Sequence, residues 1–167
     1  MHMRPERPGD APAIHSLTDL AFRDMPHAEG DEADLVDALR AAGALTISLV
    51  AIAEDGTIIG HVAFSPIQMT GQTGSWFALG PVSVDPERQM RGIGTALIWE
   101  GLARLRELGA SGCILTGEPD YYRRFGFAAS EHLTCYRQAS PYLQGLAFYG
   151  RPVTGDVRFH AAFGTAV

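Results

Sequence analysis

The sequence predicts an α/β fold, a mixed central β-sheet with helices packed on its faces. Three observations carry this reading. Apolar residues recur at helical spacing near the amino terminus, β-branched runs flank Asp55-Gly56, and a strand ending at Val84 leads through glycines into an amphipathic helix. With 167 residues, 46% of them hydrophobic and 19% charged, the chain can build one sizeable core, and a single domain over residues 1–167 is expected.

Met1 to Glu6 reads as a short first strand, and Pro8-Gly9-Asp10 as a turn whose aspartate is placed to cap a helix. Ile14, Leu17 and Ala21, widened by Leu20, form the stripe of that helix, which stops near Met25-Pro26. After a loop over Arg23 to Gly30, Asp31 is the expected cap of a second helix lined by Leu35, Val36 and Leu39 and ended by Gly43. Leu45 to Ala53 and Thr57 to Ile67 are strands. Asp55-Gly56 between them is a hairpin signal, because both turn positions favour positive φ. Gly71-Gln72-Thr73-Gly74 turns the chain into a strand over Trp76 to Val84. Proline has no N–H for a ladder, so Gly80-Pro81 within that strand marks a bulge or a place where pairing parts. Ile98, Leu102 and Leu105, joined by Leu97 and Leu108, give the next helix its buried stripe, and Gly109 ends it. Cys113 to Thr116 is strand-like, and Pro119 opens a short helix carrying Tyr121 and Tyr122 that Gly126 stops. Residues 131–167 read as closing strands and loops, whose aromatics Tyr142, Phe148, Tyr149 and Phe159 fit a pocket lining, a dimer contact or, the preferred reading, closure of the core.

Charge and composition exclude several functions. Thirteen Lys and Arg against nineteen Asp and Glu give a formal charge of −6, which lacks the basic footprint of a nucleic-acid binder. The longest nearly apolar run, Ala44 to Ala53, falls short of the roughly 18 residues of a membrane span. The amino terminus has no secretory signal, so cytoplasmic residence is expected. Cys113 and Cys135 belong to no metal-ligand cluster and read as reduced thiols, and no metal is expected. An acidic surface suits a cationic acceptor and equally suits solubility alone.

The stretch that carries chemistry runs from Val82 to Leu97. Free N–H groups at a helix start attract an anion such as phosphate, and glycines let it approach the main chain. Asp85 to Gly94 holds two acids and two arginines, so the amides must supply most of that attraction, with Arg88 and Arg91 adding direct contacts. A Walker loop fails for want of a lysine before Thr95, and a dinucleotide fingerprint fails because Leu97 stands where its third glycine belongs. An isolated Gly-x-Gly also serves as a helix start without any ligand.

The surrounding residues go further. Gln89-Met90-Arg91-Gly92-Ile93-Gly94 resembles the Q/R-x-x-G-x-G/A signature of the GNAT superfamily of N-acetyltransferases, and Asp120 to Phe127 resembles its second signature, an aromatic-Tyr pair followed by Gly-Phe. Gly117 to Tyr122 and Gly60 to Pro66 look like its bacterial YhbS-like branch, and the resemblance covers about residues 3–130. It implies a sheet splayed beside Val82 and Val84, whose main-chain groups would pair with the pantetheine arm of acetyl-CoA. The N–H groups of Gln89, Met90, Arg91, Gly92, Ile93, Gly94 and Thr95 would then hold its pyrophosphate, and the Thr95 hydroxyl would add a bond.

It further implies acetyl transfer to a primary amine of a small molecule or peptide in a ternary complex. Tyr122 would protonate the departing thiolate, and the Val82 backbone N–H would polarise the thioester carbonyl. Glu32, His61, Glu118 and Asp120 are the candidates to take the amine's proton, directly or through water, although each also fits a structural or solvated place. The loop and helix from Phe22 to Leu39, with Asp24, Glu29, Asp31, Glu32 and Asp34, would border the acceptor, and the chain is expected to be a monomer or homodimer. The alternative is a non-catalytic module that binds acyl-CoA and reports its level.

Overall fold

The hairpin at Asp55-Gly56 forms, but only Gly56 takes positive φ, at +88, and Asp55 does not. Gly56 N–H donates to Ala53 C=O and Ala53 N–H to Thr57 C=O, each at 2.9 Å, so the turn spans Ala53–Gly56 with the glycine in its left-handed place. This hairpin belongs to a mixed sheet in a computed structural model that describes residues 1–150 and 152–164. The elements run β1 (His2–Pro5), α1 (Ala11–Phe22), α2 (Glu32–Ala41), β2 (Ile47–Ile52), β3 (Ile58–Thr70), β4 (Trp76–Val84), α3 (Ile93–Glu107), β5 (Gly112–Thr116), α4 (Pro119–Tyr122), β6 (Leu133–Cys135), β7 (Leu143–Ala147) and β8 (Gly155–Arg158). The chain forms two compact units. One is Met1–Phe64 with Gly80–Ala103, and the other is Ser65–Leu79 with the described residues from Arg104 on.

In the first unit β1 pairs antiparallel with β2, and β2 with β3 in a register that sets Ile47 opposite Phe64 and Val50 opposite His61. β4 follows β3 in the strand order. Side chains alternate across a strand, so the two faces of this sheet meet different helices. A Cβ on Gly60 would lie 2.9 Å from Ile93 and 3.0 Å from Leu97, and one on Gly101 would lie 2.2 Å from the Phe64 ring, so this face packs directly on α3. The opposite face carries Val50 and Ile52 against Ile14 of α1 and Val36 of α2.

Neither expected aspartate cap forms. A 3-10 turn over Pro8–Asp10 runs straight into α1, and the Asp10 carboxylate binds the Arg4 guanidinium at 2.6 and 3.2 Å and Arg7 N–H at 2.7 Å. At α2 the Asp31 side chain makes no cap bond; only its carbonyl accepts, from Leu35 N–H at 2.8 Å.

Beside the apolar cluster lies a partly buried polar chain that ends on a fully buried histidine. Arg40 of α2 holds Glu6 through two bonds of 2.7 and 2.9 Å, and Ser48 Oγ donates to Glu6 at 2.7 Å. Burial alone would push Glu6 up, but the bonds to Arg40 and Ser48 outweigh it and hold the carboxyl below its usual range. His61 Nε2 sits 2.8 Å from the same Ser48 oxygen. That hydroxyl already donates to Glu6, so Nε2 carries the imidazole proton, and Nδ1 is a bare lone pair without a donor among the described residues. His61 has no exposed surface, and burial pushes its pKa down to about 4.

In the second unit β4 pairs parallel with β5 over Trp76–Ala78 and Gly112–Ile114, and β5 pairs antiparallel with β7. β3 extends past the expected end at Ile67 to Thr70, because Gln68, Met69 and Thr70 pair with β8, a partner too distant in sequence for local pattern to reveal. The core here is Trp76, Ile114, Leu133, Leu143, Val153 and Val157. Of the tail aromatics, Phe159 packs against this core and Phe148 lies under the Arg106 guanidinium, 4.2 Å from the ring centre. Tyr142 and Tyr149 are exposed, contrary to expectation, since they fall outside the inward positions of β7.

Gly101→Ala is expected to destabilise the protein by about 1–2 kcal/mol despite alanine's better helix propensity, because the fully buried Phe64 ring occupies the new methyl's place; urea denaturation checks this. A second expectation concerns pH. Unfolded His61 takes up its proton below 6.5 and the folded imidazole only near 4, so the stabilisation is complete above pH 6.5 and is lost as pH falls to about 4. From pH 7 to 4.5 the wild-type chain should lose about 2 kcal/mol more than His61→Gln does. Equal losses in paired denaturation curves would disprove it.

Candidate active site

The parallel β4–β5 ladder ends at Ala78 and Ile114, although both strands continue. Two residues on, Gly80 takes φ +137 ahead of Pro81, so the interruption read from Gly80-Pro81 coincides with the end of pairing. In the first unit, residues from Gly80 to Val84 form an edge of the sheet. Asp85 N–H donates to Ile59 C=O of β3 at 2.9 Å. Backbone direction alternates along a strand, so the main-chain groups of Val82 and Val84 turn the other way, toward the open edge. Gln89 Nε2 donates to the Val84 carbonyl at 3.2 Å.

The loop after β4 is built by its own side chains. Asp85 accepts from Glu87 N–H at 3.0 Å to cap a 3-10 turn over Pro86–Arg88, and the Arg88 guanidinium lies 3.7 Å from the same carboxylate. Met90 at φ +65 and Gly92 at φ +82 then swing the chain into α3. Met90 is fully exposed, and Arg91 and Gly92 are exposed as well. The first bond of the helix runs from Ala96 N–H to Gly92 C=O at 3.0 Å. The N–H groups of Ile93 and Gly94 therefore precede the helical ladder and have no acceptor within it. Gln89, Met90, Arg91, Gly92, Ile93, Gly94 and Thr95 are thus drawn together at one helix start, as the spacing predicts.

Tyr122 ends α4 in the second unit. Its ring meets Tyr121 edge-on at 4.9 Å between centres and lies 6.2 Å from both Phe125 and Phe127. Burial pushes its phenol up to about 12, with Tyr121 and Cys113 adding to the shift, so the hydroxyl keeps its proton at any physiological pH. The turn before α4 is held by bonds no sequence pattern announces. Gly117 N–H donates to Tyr142 C=O at 3.0 Å, and buried Gln144 donates to Gly117 C=O at 3.0 Å. The only hint in the sequence is a glutamine inside the apolar run Leu143 to Ala147.

Of the four candidate proton acceptors, Glu32 and His61 belong to the first unit and Glu118 and Asp120 to the second. Glu32 reaches back to accept from Glu29 N–H at 2.8 Å and Gly30 N–H at 3.2 Å, which gives its carboxylate a structural task at the start of α2. His61 is sealed on the sheet face opposite α3. Glu118 and Asp120 are exposed at the start of α4, and Asp120 pairs with Arg123 at 2.8 Å. Elsewhere, His15, Asp34 and Asp37 bring ligand-type atoms within 4.8 Å of one another, but Asp37 is taken up by His15 Nδ1 at 2.6 Å and by Arg40 at 3.0 Å. No helix among the described residues is long and apolar enough to cross a membrane.

Comparison with known proteins identifies the family. Residues 14–127 match the acetyltransferase (GNAT) family. The chain is 37% identical to the uncharacterized N-acetyltransferase YhbS of Escherichia coli, over 98% of both proteins. A GNAT family acetyltransferase from Brucella melitensis, crystallised in complex with acetyl-CoA, superimposes with a TM-score of 0.84 at 51% identity over 97% of each chain. The crystal structure of E. coli YhbS in complex with CoA gives 0.85 at 35% identity, over 97% of this chain and 91% of that one. A matching pattern over most of the sequence, and the same fold in relatives of this identity, make this chain an N-acetyltransferase of the GNAT family.

Proposed function

We propose that the protein transfers the acetyl group of acetyl-CoA to a primary amine of a small molecule or peptide, directly and within a ternary complex. The observation that carries this reading is the edge of β4 left open beyond Ala78, followed by the helix-start amides around Gly92. A relative 51% identical over nearly the whole chain was crystallised with acetyl-CoA, which supports the same donor here.

The main-chain groups of Val82 and Val84 pair with the pantetheine amides as a further strand would. The N–H groups of Gln89 to Thr95 receive the pyrophosphate, where the partial positive charge of the helix start favours an anion. Arg91, exposed beside them, adds a direct contact, whereas Arg88 is drawn toward Asp85 and contributes less.

In the reaction the amine nitrogen attacks the thioester carbonyl, the C–N bond forms, the C–S bond breaks, and the nitrogen's surplus proton passes to water. Val82 N–H polarises the carbonyl as charge builds on its oxygen. Tyr122 offers its proton to the departing sulfur. A phenol at about 12 is a weaker acid than a thiol near 8.5, so Tyr122 acts first as a hydrogen-bond donor to the growing thiolate, and the phenol is restored from solvent after any full transfer. Among the protein groups, Glu118 and Asp120 are open to solvent and suit proton acceptance through water, while sealed His61 and tethered Glu32 suit it poorly.

Calorimetric titration with acetyl-CoA, followed by thiol release over a panel of amines and peptides, tests the function; absence of binding at millimolar acetyl-CoA removes it, and binding without acceptor-dependent release favours the sensor. Tyr122→Phe is expected to lower kcat about tenfold to a hundredfold and leave the Kd for acetyl-CoA within twofold. An unchanged kcat would remove the acid role. Gly92→Ala meets no neighbouring atom but imposes a side chain on φ +82, so the helix-start amides shift and acetyl-CoA binding should weaken about tenfold. An unaltered calorimetric Kd would count against the loop as the anion site.

A further inference from the structure

Gln144 lies on β7 directly opposite Leu115 of β5, so both side chains stand on one face of the sheet. Its side-chain nitrogen donates to the carbonyls of Gly117 at 3.0 Å and Tyr142 at 3.2 Å. Gly117 N–H also donates to the Tyr142 carbonyl at 3.0 Å. These three bonds close a ring around the Gly117 backbone, fixing both its N–H and its C=O. The carboxamide has one permissible orientation, because turning it over would set its oxygen against two other acceptors. Its oxygen is consequently buried with no donor among the described residues. A leucine would fill nearly the same space and remove the orphaned oxygen, but it would leave the Gly117 carbonyl without this donor, so the amide's contribution is its hold on the two carbonyls.

That hold bears on Tyr122. A Cβ on Gly117 would fall 2.5 Å from Tyr122 Cε2, 3.0 Å from Cδ2 and 3.5 Å from Leu115 Cδ1, so the ring rests directly on the Gly117 backbone. The next residue, Glu118, opens α4 and accepts on its carbonyl the N–H groups of Tyr121 and Tyr122, each at 3.1 Å. Gly117 is therefore both the floor beneath the ring and the anchor of the turn that carries it. We propose that Gln144 is a positioning residue for the Tyr122 hydroxyl, acting through the clamped Gly117 peptide. This rests on the reading of Tyr122 as the acid.

The test is a double-mutant cycle of Gln144→Leu and Tyr122→Phe, measured with acetyl-CoA and the most active amine of the panel, or with water as acceptor if no amine is turned over. Gln144→Leu alone should lower kcat about tenfold and keep the KM for acetyl-CoA within twofold. On the Tyr122→Phe background it should cost nothing more, since no hydroxyl remains to be positioned. An unchanged kcat in Gln144→Leu, or an equal loss on both backgrounds, overturns the positioning role while leaving the acid role intact. A Tyr122→Phe enzyme of full activity instead overturns the acid reading and this inference with it. Gly117→Ala, which drives a methyl against the ring while keeping Gln144, provides an independent arm should Gln144→Leu fail to fold. It should reproduce the same loss and the same dependence on the hydroxyl, and full activity in it would overturn the proposal.

Discussion

A strand that stops pairing before it ends leaves backbone donors and acceptors that must find other partners, and this constraint organises the protein around β4. Its ladder with β5 closes at Ala78, Gly80 then takes a φ that side-chain-bearing residues rarely adopt, and Pro81 has no N–H to contribute. Beyond that point Val82 and Val84 face an open edge of the first unit, and Gln89 Nε2 donates to the Val84 carbonyl. A free sheet edge invites pairing with whatever extended chain reaches it.

Elements with local causes were legible in the residues. Asp55-Gly56 specified its hairpin because glycine alone takes the required φ without strain, and the Ile98, Leu102 and Leu105 stripe specified α3 because it must cover a sheet. What escaped depended on distant partners. Asp10 has the chemistry of a cap, but Arg4 reaches it first, so its carboxylate ties β1 to the following turn. The turn at Tyr136 and Arg137 was illegible for a related reason. Both residues take positive φ, a conformation their types disfavour, and the Asp156 carboxylate secures it by accepting Arg137 N–H at 2.8 Å. Of the candidate site, the glycine-led helix start is read from spacing and Tyr122 from the resemblance, whereas the bonds around Gly117 depend on β5 and β7 lying side by side.

The buried polar groups divide by what they hold. His61 is neutral because charge would be stranded in the core, and its bond to Ser48 joins a chain through Glu6 to Arg40, tying β2, β3 and the residue after β1 to α2. That arrangement depends on pH but has no freedom to exchange a proton with solvent. Gln144 cannot titrate, and its two bonds fall on main-chain carbonyls of the segment that leads to Tyr122. A sealed imidazole supports the scaffold; a sealed amide beside a turn fixes direction. Residue type alone would have ranked them in the opposite order, since histidine is the usual proton carrier.

Charge closes the argument about selectivity. The chain carries −6 overall, and its loop from Asp85 to Gly94 balances two acids against two arginines, one of them held near Asp85. Long-range attraction of an anion such as CoA is therefore weak or adverse, and the molecule must recognise it at short range. Main-chain amides suit that task because their direction is set by the fold: Met90 and Gly92 hold the loop in positive φ, and α3, packed on Gly60 and Phe64, holds its axis. A net charge of −6 fits an amine acceptor and solubility equally, so the anion-facing geometry leaves a sharper imprint in the sequence than charge does.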